Sequence, residues 1–193
     1  MKANLIIFIK NPVLGKVKTR LAKDIGELRA LRVYLDLLFK TKEETLQVNV
    51  NKYLYYSDYL VTDEWSSLPY IKKVQYGEDL GQRMQNAFKE CFSDNLPTII
   101  IGSDCYDLDH NKLEFAFSKL KENDIVIGPA NDGGYYLLGM NRYTPQLFEK
   151  INWSTSSVLS QTFDIANQLN LKVFKLEGLF VLDTFEDLKK STY

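Results

Sequence analysis

Short, continuous apolar runs rich in isoleucine and valine are the feature that most restricts how this chain can fold. The runs at residues 5–9, 98–102 and 125–128 show no polar alternation, which is typical of strands buried on both faces of a sheet. Less apolar segments predict four further strands, at residues 52–56, 70–75, 135–140 and 172–176.

Between the strands, apolar residues recur at three- and four-residue steps, as they do on the buried face of a helix. The predicted helices lie around residues 28–42, 80–91, 113–120 and 158–169. In the first of them, the apolar face is predicted to carry Leu28, Leu31, Leu35 and Leu38. The alternation of strands and helices predicts an α/β fold, a three-layer sandwich with a mostly parallel central sheet.

Composition narrows the class of protein. With 193 residues, the chain is predicted to form a single domain spanning 1–193. A net charge of −1 argues against a nucleic-acid-binding protein, which carries a basic surplus. One histidine and two cysteines are too few for a structural zinc site or a disulfide framework, so a reducing, cytoplasmic location is predicted. The apolar run near the start is too short for a signal peptide or a membrane span.

A cation-rich loop follows the first predicted strand. Residues 10–23 contain five lysines and arginines and no acid. Ligands of such sheets bind beyond the carboxyl ends of the strands, and a bent basic loop there suits a pyrophosphate, although a solvated basic loop remains the alternative. Thr19 either caps the next helix or donates to a phosphate. The loop is not a Walker loop, and the sequence contains no G-x-G-x-x-G motif.

Acidic residues follow the predicted strand at residues 98–102. Asp104 comes directly after a buried strand and is therefore expected to point into the cleft, where a carboxylate can bind a hard divalent cation. Either Asp107 or Asp109 is instead expected to cap the next helix. A catalytic role for Cys105 is disfavoured because His110 is the one histidine in the sequence. A haloacid-dehalogenase nucleophile would require a D-x-D motif after the first strand, which is absent.

Glycines concentrate in residues 128–139, which contain four of the ten in the chain. Adjacent glycines at 133 and 134 permit close approach of a ligand to the backbone, although a plain hairpin also uses such a sequence. Near the end of the chain, Thr184 and Asp187 form a predicted capping box. That arrangement leaves Asp183 free at the end of a last short strand.

Six segments occur in a familiar order: K-N-P-V-L-G-K-V-K-T-R-L, G-E-D-L-G-Q-R-M, I-G-S-D-C-Y-D-L, G-P-A-N-D-G-G-Y-Y-L-L-G, I-N-W-S-T and L-D-T-F-E-D-L. Together, over residues 5–188, they resemble a bacterial glycosyltransferase-A-like family labelled arsenosugar-biosynthesis-type glycosyltransferases. That family belongs to the nucleotide-diphospho-sugar transferase superfamily, alongside guanylyltransferases for molybdenum cofactor and 2-phospholactate. The resemblance implies a glycosyltransferase-A-like fold with Mg²⁺ or Mn²⁺ at the diphosphate of a bound nucleotide.

The resemblance also implies roles for individual residues. For the phosphates these are Lys16, Lys18 and Arg20, beside the Thr19 hydroxyl of the same loop considered above. For the nucleoside they are Asp79 and Arg83. For the metal they are Asp104 and Asp183. For the sugar or acceptor they are Asp132, Gly133, Gly134, Trp153, Ser154 and Thr155. Asp132 is hypothesised to take the acceptor's proton, and Asp104 to support catalysis through the metal.

Two positions depart from the family pattern. Tyr106 stands where the family usually has proline, a change expected to affect only the stiffness of the loop. Val181 stands where the family usually has a further aspartate, so one carboxylate of the metal site is missing.

The predicted function is therefore transfer of a sugar from a nucleotide-diphosphate sugar to a small-molecule acceptor. One alternative is a nucleotidyltransferase that uses a nucleoside triphosphate and releases pyrophosphate. Another, favoured by the missing acid at Val181, is a nucleotide-binding protein without turnover. Neither nucleic acid nor membrane is an expected partner, and the aromatic residues leave a homodimer open.

Overall fold

A seven-stranded sheet forms the centre of the computed structural model, which describes residues 2–92, 96–191 and 193. Its strands are β1 (Asn4–Ile9), β2 (Asn51–Tyr56), β3 (Tyr70–Val74), β4 (Thr98–Ile101), β5 (Ile125–Pro129), β6 (Tyr135–Met140) and β7 (Val173–Lys175). The spatial order is β3-β2-β1-β4-β6-β5-β7, and only β6 runs antiparallel to its neighbours. The strands predicted between residues 5 and 176 are each confirmed with ends within one residue of the expected positions, as is the mostly parallel sheet.

Helices cover both faces of this sheet. They are α1 (Thr19–Ile25), α2 (Glu27–Gln47), α3 (Leu80–Cys91), α4 (His110–Lys119), α5 (Val158–Gln168) and α6 (Phe185–Lys190), with a 3₁₀ helix at Pro145–Phe148. Among the described residues, no helix combines the length and apolar character needed to cross a membrane.

The apolar runs of the central strands supply two cores. In β1, Leu5 and Ile7 pack on the face covered by α2 and α4, and Ile6 packs on the opposite face against α3. Ile99 and Ile100 of β4 divide between the faces in the same way. Both faces of the central strands are therefore buried, which is the reason these strands show no polar alternation.

The predicted apolar face of α2 is wrong in part. Leu28 and Leu35 are exposed, at 74% and 44%, whereas Val33, Tyr34 and Leu37 are buried. The buried face was not recognised from the sequence because it also carries polar residues, including Thr41. The side chains of Lys42, Glu44 and Thr45 on that face are hydrogen-bonded.

Two smaller predictions about local structure are also wrong. The segment before Asp183 is not a strand, since one isolated bridge between Ala130 and Leu179 joins it to the sheet. Thr19 does not cap α1, because the helix begins at that residue and the capping position belongs to Lys18. Caps by Asp109 on α4 and by the Thr184 capping box on α6 are confirmed.

Candidate functional site

A cleft of about 650 Å³ opens beyond the carboxyl ends of the parallel strands. Segments that follow β1, β4 and β5 line it, together with the loop at residues 153–156 and the segment before α6. The volume is that of a typical small-molecule site and is adequate for a nucleotide. Of the predicted site residues, those that line the cleft are Lys18, Thr19, Arg20, Asp104, Asp132, Gly134, Trp153, Ser154, Thr155 and Asp183.

An ion pair between a buried lysine and a half-exposed aspartate lines the cleft. The Lys18 ammonium donates to Asp104 Oδ1 over 2.6 Å and to the Leu182 carbonyl over 2.5 Å. The Lys18 side chain is only 3% exposed, whereas that of Asp104 is 43% exposed. Lys18 Nζ also lies 5.9 Å from the centre of the Tyr34 ring. The ammonium therefore has a fixed position and a compensating charge, which a buried cation requires.

Tyr34 supports this corner of the cleft from α2. Its hydroxyl accepts from the Lys10 amide over 2.7 Å and donates to the Lys10 carbonyl over 3.0 Å. Burial, reinforced by the nearby charge of Asp104, raises the pKa of Tyr34. The phenol therefore stays protonated and holds the start of the basic loop against the sheet.

A second, exposed ion pair joins the same loop to Asp183. Arg20 Nη1 lies 3.0 Å from Asp183 Oδ2, with the two side chains 71% and 40% exposed. The Leu182 amide donates to the Asp104 carbonyl over 2.9 Å, so the two predicted metal ligands come from adjoining backbone. Val181, at the position of the missing acid, also lines the cleft.

The residues present fit a divalent cation in one limited way. Within the described residues, no group of three or more His, Cys, Asp or Glu side chains is arranged as a metal site. Mg²⁺, however, is commonly held by one or two carboxylates together with substrate phosphates. Asp104 and Asp183 each use one carboxylate oxygen for their ion pair, through Oδ1 and Oδ2 respectively. The other oxygen of each carboxylate supplies the donor chemistry that such an ion requires.

The glycine-rich segment is a hairpin turn between β5 and β6 that also reaches the cleft. Asp132 Oδ1 accepts from the Gly134 amide over 2.9 Å, so the hairpin alternative is confirmed for the backbone. Gly133 has φ 87°, and a Cβ there would lie 2.3 Å from the Ser156 carbonyl oxygen. Glycine at 133 is therefore required by contact with the loop at residues 153–156.

An apolar wall, formed by Leu80, Met84, Tyr135 and Trp153, lies along the cleft. The Tyr135 hydroxyl lies 3.9 Å from Met84 Sδ. The Trp153 ring stacks on Phe148 at 6.4 Å between ring centres. A Cβ at position 81 would lie 2.0 Å from Trp153 Nε1, so Gly81 makes room for the indole.

Three predicted phosphate or nucleoside ligands lie outside the lining of the cleft. Asp79 caps α3, where its side chain accepts from the Gln82 amide over 2.8 Å. Arg83 donates to the Gly77 carbonyl over 3.2 Å, and Lys16 is exposed. The G-E-D-L-G-Q-R-M segment thus builds a helix start. The ligand roles of these three residues stay predictions.

Several polar residues of the cleft were not predicted from the sequence, among them Tyr34, Gln75 and Ser103. Gln75 Nε2 donates to the carbonyls of Ile9 and Tyr55, each over 3.1 Å, and so joins the ends of β1 and β2. Its position just after β3 was a signal that could have identified it. Cys105 also lines the cleft, but burial raises the pKa of its thiol to about 12, in keeping with the argument against a catalytic thiol.

Comparison with known proteins gives one family and a set of similar structures. The model of a family described as "uncharacterized protein conserved in bacteria (DUF2064)" matches residues 45–155, more than half of the chain. No curated protein matches the chain.

Among solved structures, a protein from Desulfovibrio desulfuricans G20, provisionally described as a nucleotide-diphospho-sugar transferase, is similar at 29% identity and a TM-score of 0.89. The match covers 96% of this chain and 84% of that one. A CMP:2-keto-3-deoxy-manno-octonic acid synthetase complexed with CTP has 12% identity, a TM-score of 0.62 and coverage of 98% and 96%. A 4-diphosphocytidyl-2C-methyl-D-erythritol synthase from Anaerococcus prevotii has 13% identity, a TM-score of 0.63 and coverage of 97% and 93%. The two more distant structures share the fold alone, and the arsenosugar label appears in none of these names.

Proposed function

Because the chain belongs to the DUF2064 family of bacterial proteins and has the fold of nucleotide-diphospho-sugar transferases, we propose that it is a transferase acting on a nucleotide-diphosphate sugar. The sugar passes to a small-molecule acceptor. One observation carries the proposal: the same cleft at the strand ends is lined by cations that follow β1, by carboxylates and by the apolar wall. The cations can bind a diphosphate, the carboxylates can bind its counter-ion, and the apolar wall can contact a sugar or acceptor.

Lys18 and Arg20 bind the diphosphate in this proposal. The ammonium of Lys18 has three N–H donors and uses two of them on Asp104 and Leu182, which leaves one for a phosphate oxygen. Arg20 lines the cleft and is 71% exposed, and its pairing with Asp183 leaves further guanidinium N–H donors for a phosphate. Preorganised cations stabilise the charge that develops on a leaving diphosphate, so the loop assists bond breaking as well as binding.

Asp104 and Asp183 would hold Mg²⁺ or Mn²⁺ through their remaining carboxylate oxygens. When bound, such an ion neutralises charge on the diphosphate as the leaving group departs. Before any ligand binds, Lys18 holds the Asp104 carboxylate in place, because its buried ammonium is bonded to both Asp104 and Leu182.

Asp132 is proposed as the base of an inverting transfer. Its Oδ1 is fixed by the Gly134 amide, and Oδ2 is left to receive the proton of an acceptor hydroxyl. As the oxygen of the acceptor hydroxyl forms a bond to the anomeric carbon, the bond from this carbon to the phosphate oxygen breaks. The electron pair of the broken bond leaves with the diphosphate. Trp153 and Tyr135 offer flat apolar surfaces against which a sugar or acceptor can pack.

A nucleotidyltransferase is the second candidate, favoured by the structural likeness to a synthetase complexed with CTP. In that reaction an acceptor oxygen attacks the α-phosphorus of a nucleoside triphosphate, and pyrophosphate leaves. Phosphorus NMR of reaction mixtures separates the candidates, because sugar transfer releases a nucleoside diphosphate and nucleotidyl transfer releases pyrophosphate. Nucleotide binding without either product, over a broad acceptor panel, would leave a nucleotide-binding protein without turnover.

Binding by the basic loop is tested with Arg20→Ala. A hydrogen bond to a charged group is worth about 1.5–3 kcal/mol, so nucleotide affinity in calorimetry should fall about tenfold or more. Lys23→Ala is the matched control, since Lys23 is an exposed cation of α1 outside the cleft. Equal affinities for the two variants would remove Arg20 from the site.

A further inference from the structure

The charged side chains that line the cleft sum to zero. Three cations, Lys10, Lys18 and Arg20, face three carboxylates, Asp104, Asp132 and Asp183. A nucleoside diphosphate brings several negative charges into this neutral site. Its binding therefore requires either additional positive charge or the release of cations from their present partners.

The cations that could be released are paired with the carboxylates proposed above to hold a metal. Lys18 is bonded to Asp104 at 2.6 Å and Arg20 to Asp183 at 3.0 Å. The cations stand two residues apart, Lys18 at the cap of α1 and Arg20 in its first turn. The Leu182 amide, just before Asp183, donates to the Asp104 carbonyl. The two ion pairs thus form one connected unit.

We propose that nucleotide and divalent cation bind this cleft cooperatively, through an exchange of ion-pair partners. In this exchange, Lys18 and Arg20 turn from the carboxylates to the phosphates, while Asp104 and Asp183 turn from the loop to the divalent cation. A nucleotide alone would take the basic side chains and leave the carboxylates without a counter-charge. A divalent cation alone would take the carboxylates and leave the basic side chains without one. The inference rests on the proposed function, since it concerns the same cleft and the same class of ligand.

Lys18 dominates the coupling because its ammonium is buried. Its side chain is 3% exposed, against 71% for Arg20, and exposed ion pairs contribute little free energy. Loss of the Lys18 ammonium would leave Asp104, which is 43% exposed and solvated, with both oxygens available. A divalent cation would then meet no internal competitor at Asp104.

The test compares Lys18→Met with Lys23→Met in the full chain. Lys23 is a nearby lysine of α1 that is exposed and lies outside the cleft lining, so its variant is the matched control. Free Mn²⁺ is measured by electron paramagnetic resonance without nucleotide, and circular dichroism verifies folding. We expect Lys18→Met to bind Mn²⁺ at least tenfold more tightly than the wild-type protein, and Lys23→Met to leave the affinity unchanged.

A second measurement uses the wild-type protein and does not depend on how the variants fold. Retention of ADP, CDP, GDP and UDP is measured by equilibrium dialysis with and without Mn²⁺. For the nucleotide that binds most tightly, we expect Mn²⁺ to raise affinity at least tenfold, within the usual range of coupling between sites. Lys18→Met should reduce that factor.

The outcomes separate this inference from the proposed function. If none of the four nucleotides binds under either condition, the proposed function fails and the inference fails with it. If a nucleotide binds equally with and without Mn²⁺, or if Lys18→Met folds and does not tighten Mn²⁺ binding, the exchange of partners is overturned while nucleotide binding stands.

Discussion

Lys18 is the residue that connects the segments of the candidate site. Its backbone has φ 48°, a left-handed conformation that is unfavourable by about 1–2 kcal/mol for a residue other than glycine. The bonds from its ammonium to Asp104 and Leu182 offset that penalty and connect three distant parts of the chain. The strained residue therefore lies where the cleft needs a cation at a fixed position.

A substitution at Asp132 distinguishes a role as catalytic base from a role in the hairpin turn. Asp132→Asn keeps an oxygen that can accept from the Gly134 amide, so the hairpin and the nucleotide affinity should be preserved. It removes the basic oxygen, and positioned bases typically contribute about 10²–10⁴-fold to a rate. Transfer should therefore slow at least tenfold in product assays, whereas Asp164→Asn on the exposed face of α5 should not change it. Wild-type turnover in Asp132→Asn would assign the residue to the turn alone.

At the scale of elements, the start of α3 and the loop at residues 153–156 are fitted to each other through Gly81. Alanine in place of a glycine inside a helix ordinarily stabilises by about 0.5–1 kcal/mol. Here the added Cβ would lie 2.0 Å from Trp153 Nε1, and overpacking typically destabilises by about 1–3 kcal/mol. Packing should outweigh helix propensity.

We therefore expect Gly81→Ala to lower the free energy of unfolding by about 1–2 kcal/mol in urea denaturation and to change tryptophan fluorescence. Gly102→Ala is the control, since a Cβ there would meet no atom within 4 Å. If Gly81→Ala is instead more stable than the wild-type protein, the loop at residues 153–156 can shift away from α3 at little cost.

Glu44 joins α2 to the start of α4. Burial alone would raise the pKa of Glu44, but hydrogen bonds from Lys40 and from the ring and amide of His110 lower it to about 2. Because this pKa lies below its ordinary value of 4.5, the ionised carboxylate stabilises the fold above that pH, and the stabilisation is lost as pH falls from about 4.5 toward 2.

We therefore expect Glu44→Gln to reduce stability by about 1.5–3 kcal/mol at pH 7, with a difference from wild type that shrinks below pH 4.5. Urea denaturation at a series of pH values provides the measurement. Glu43→Gln, at the exposed neighbouring position, should follow the wild-type curve. A Glu44→Gln deficit that is independent of pH would mean that packing, and not charge, holds the two helices together.

At the scale of the whole molecule, the sequence predicts the sheet much better than it predicts the site. The runs in β1 and β4 are unambiguous because both faces of these strands are buried. The pairing of Lys18 with Asp104 was not predicted, since it joins residues 86 positions apart and depends on β1 and β4 being neighbours. Residue spacing does not encode that strand order. The buried face of α2 was also predicted incorrectly, because that face is partly polar and two of the leucines are exposed.

The order of the whole sheet leads to the final prediction, which concerns thermal stability. Lys18 and Arg20 follow β1, Asp104 follows β4, and Asp183 adjoins Asp104, so a ligand held by all of them would link separate parts of the chain. A ligand at 100 times its Kd stabilises the native state by about 2.7 kcal/mol, which for a domain of this size raises Tm by about 5–11 °C. We expect that shift in a thermal scan with a nucleoside diphosphate and Mn²⁺ together, and a smaller one with either alone. Asp104→Asn should lose the part that depends on Mn²⁺, while Asp164→Asn should retain it. An equal shift from Mn²⁺ alone would mean that the ion stabilises the protein independently of any nucleotide.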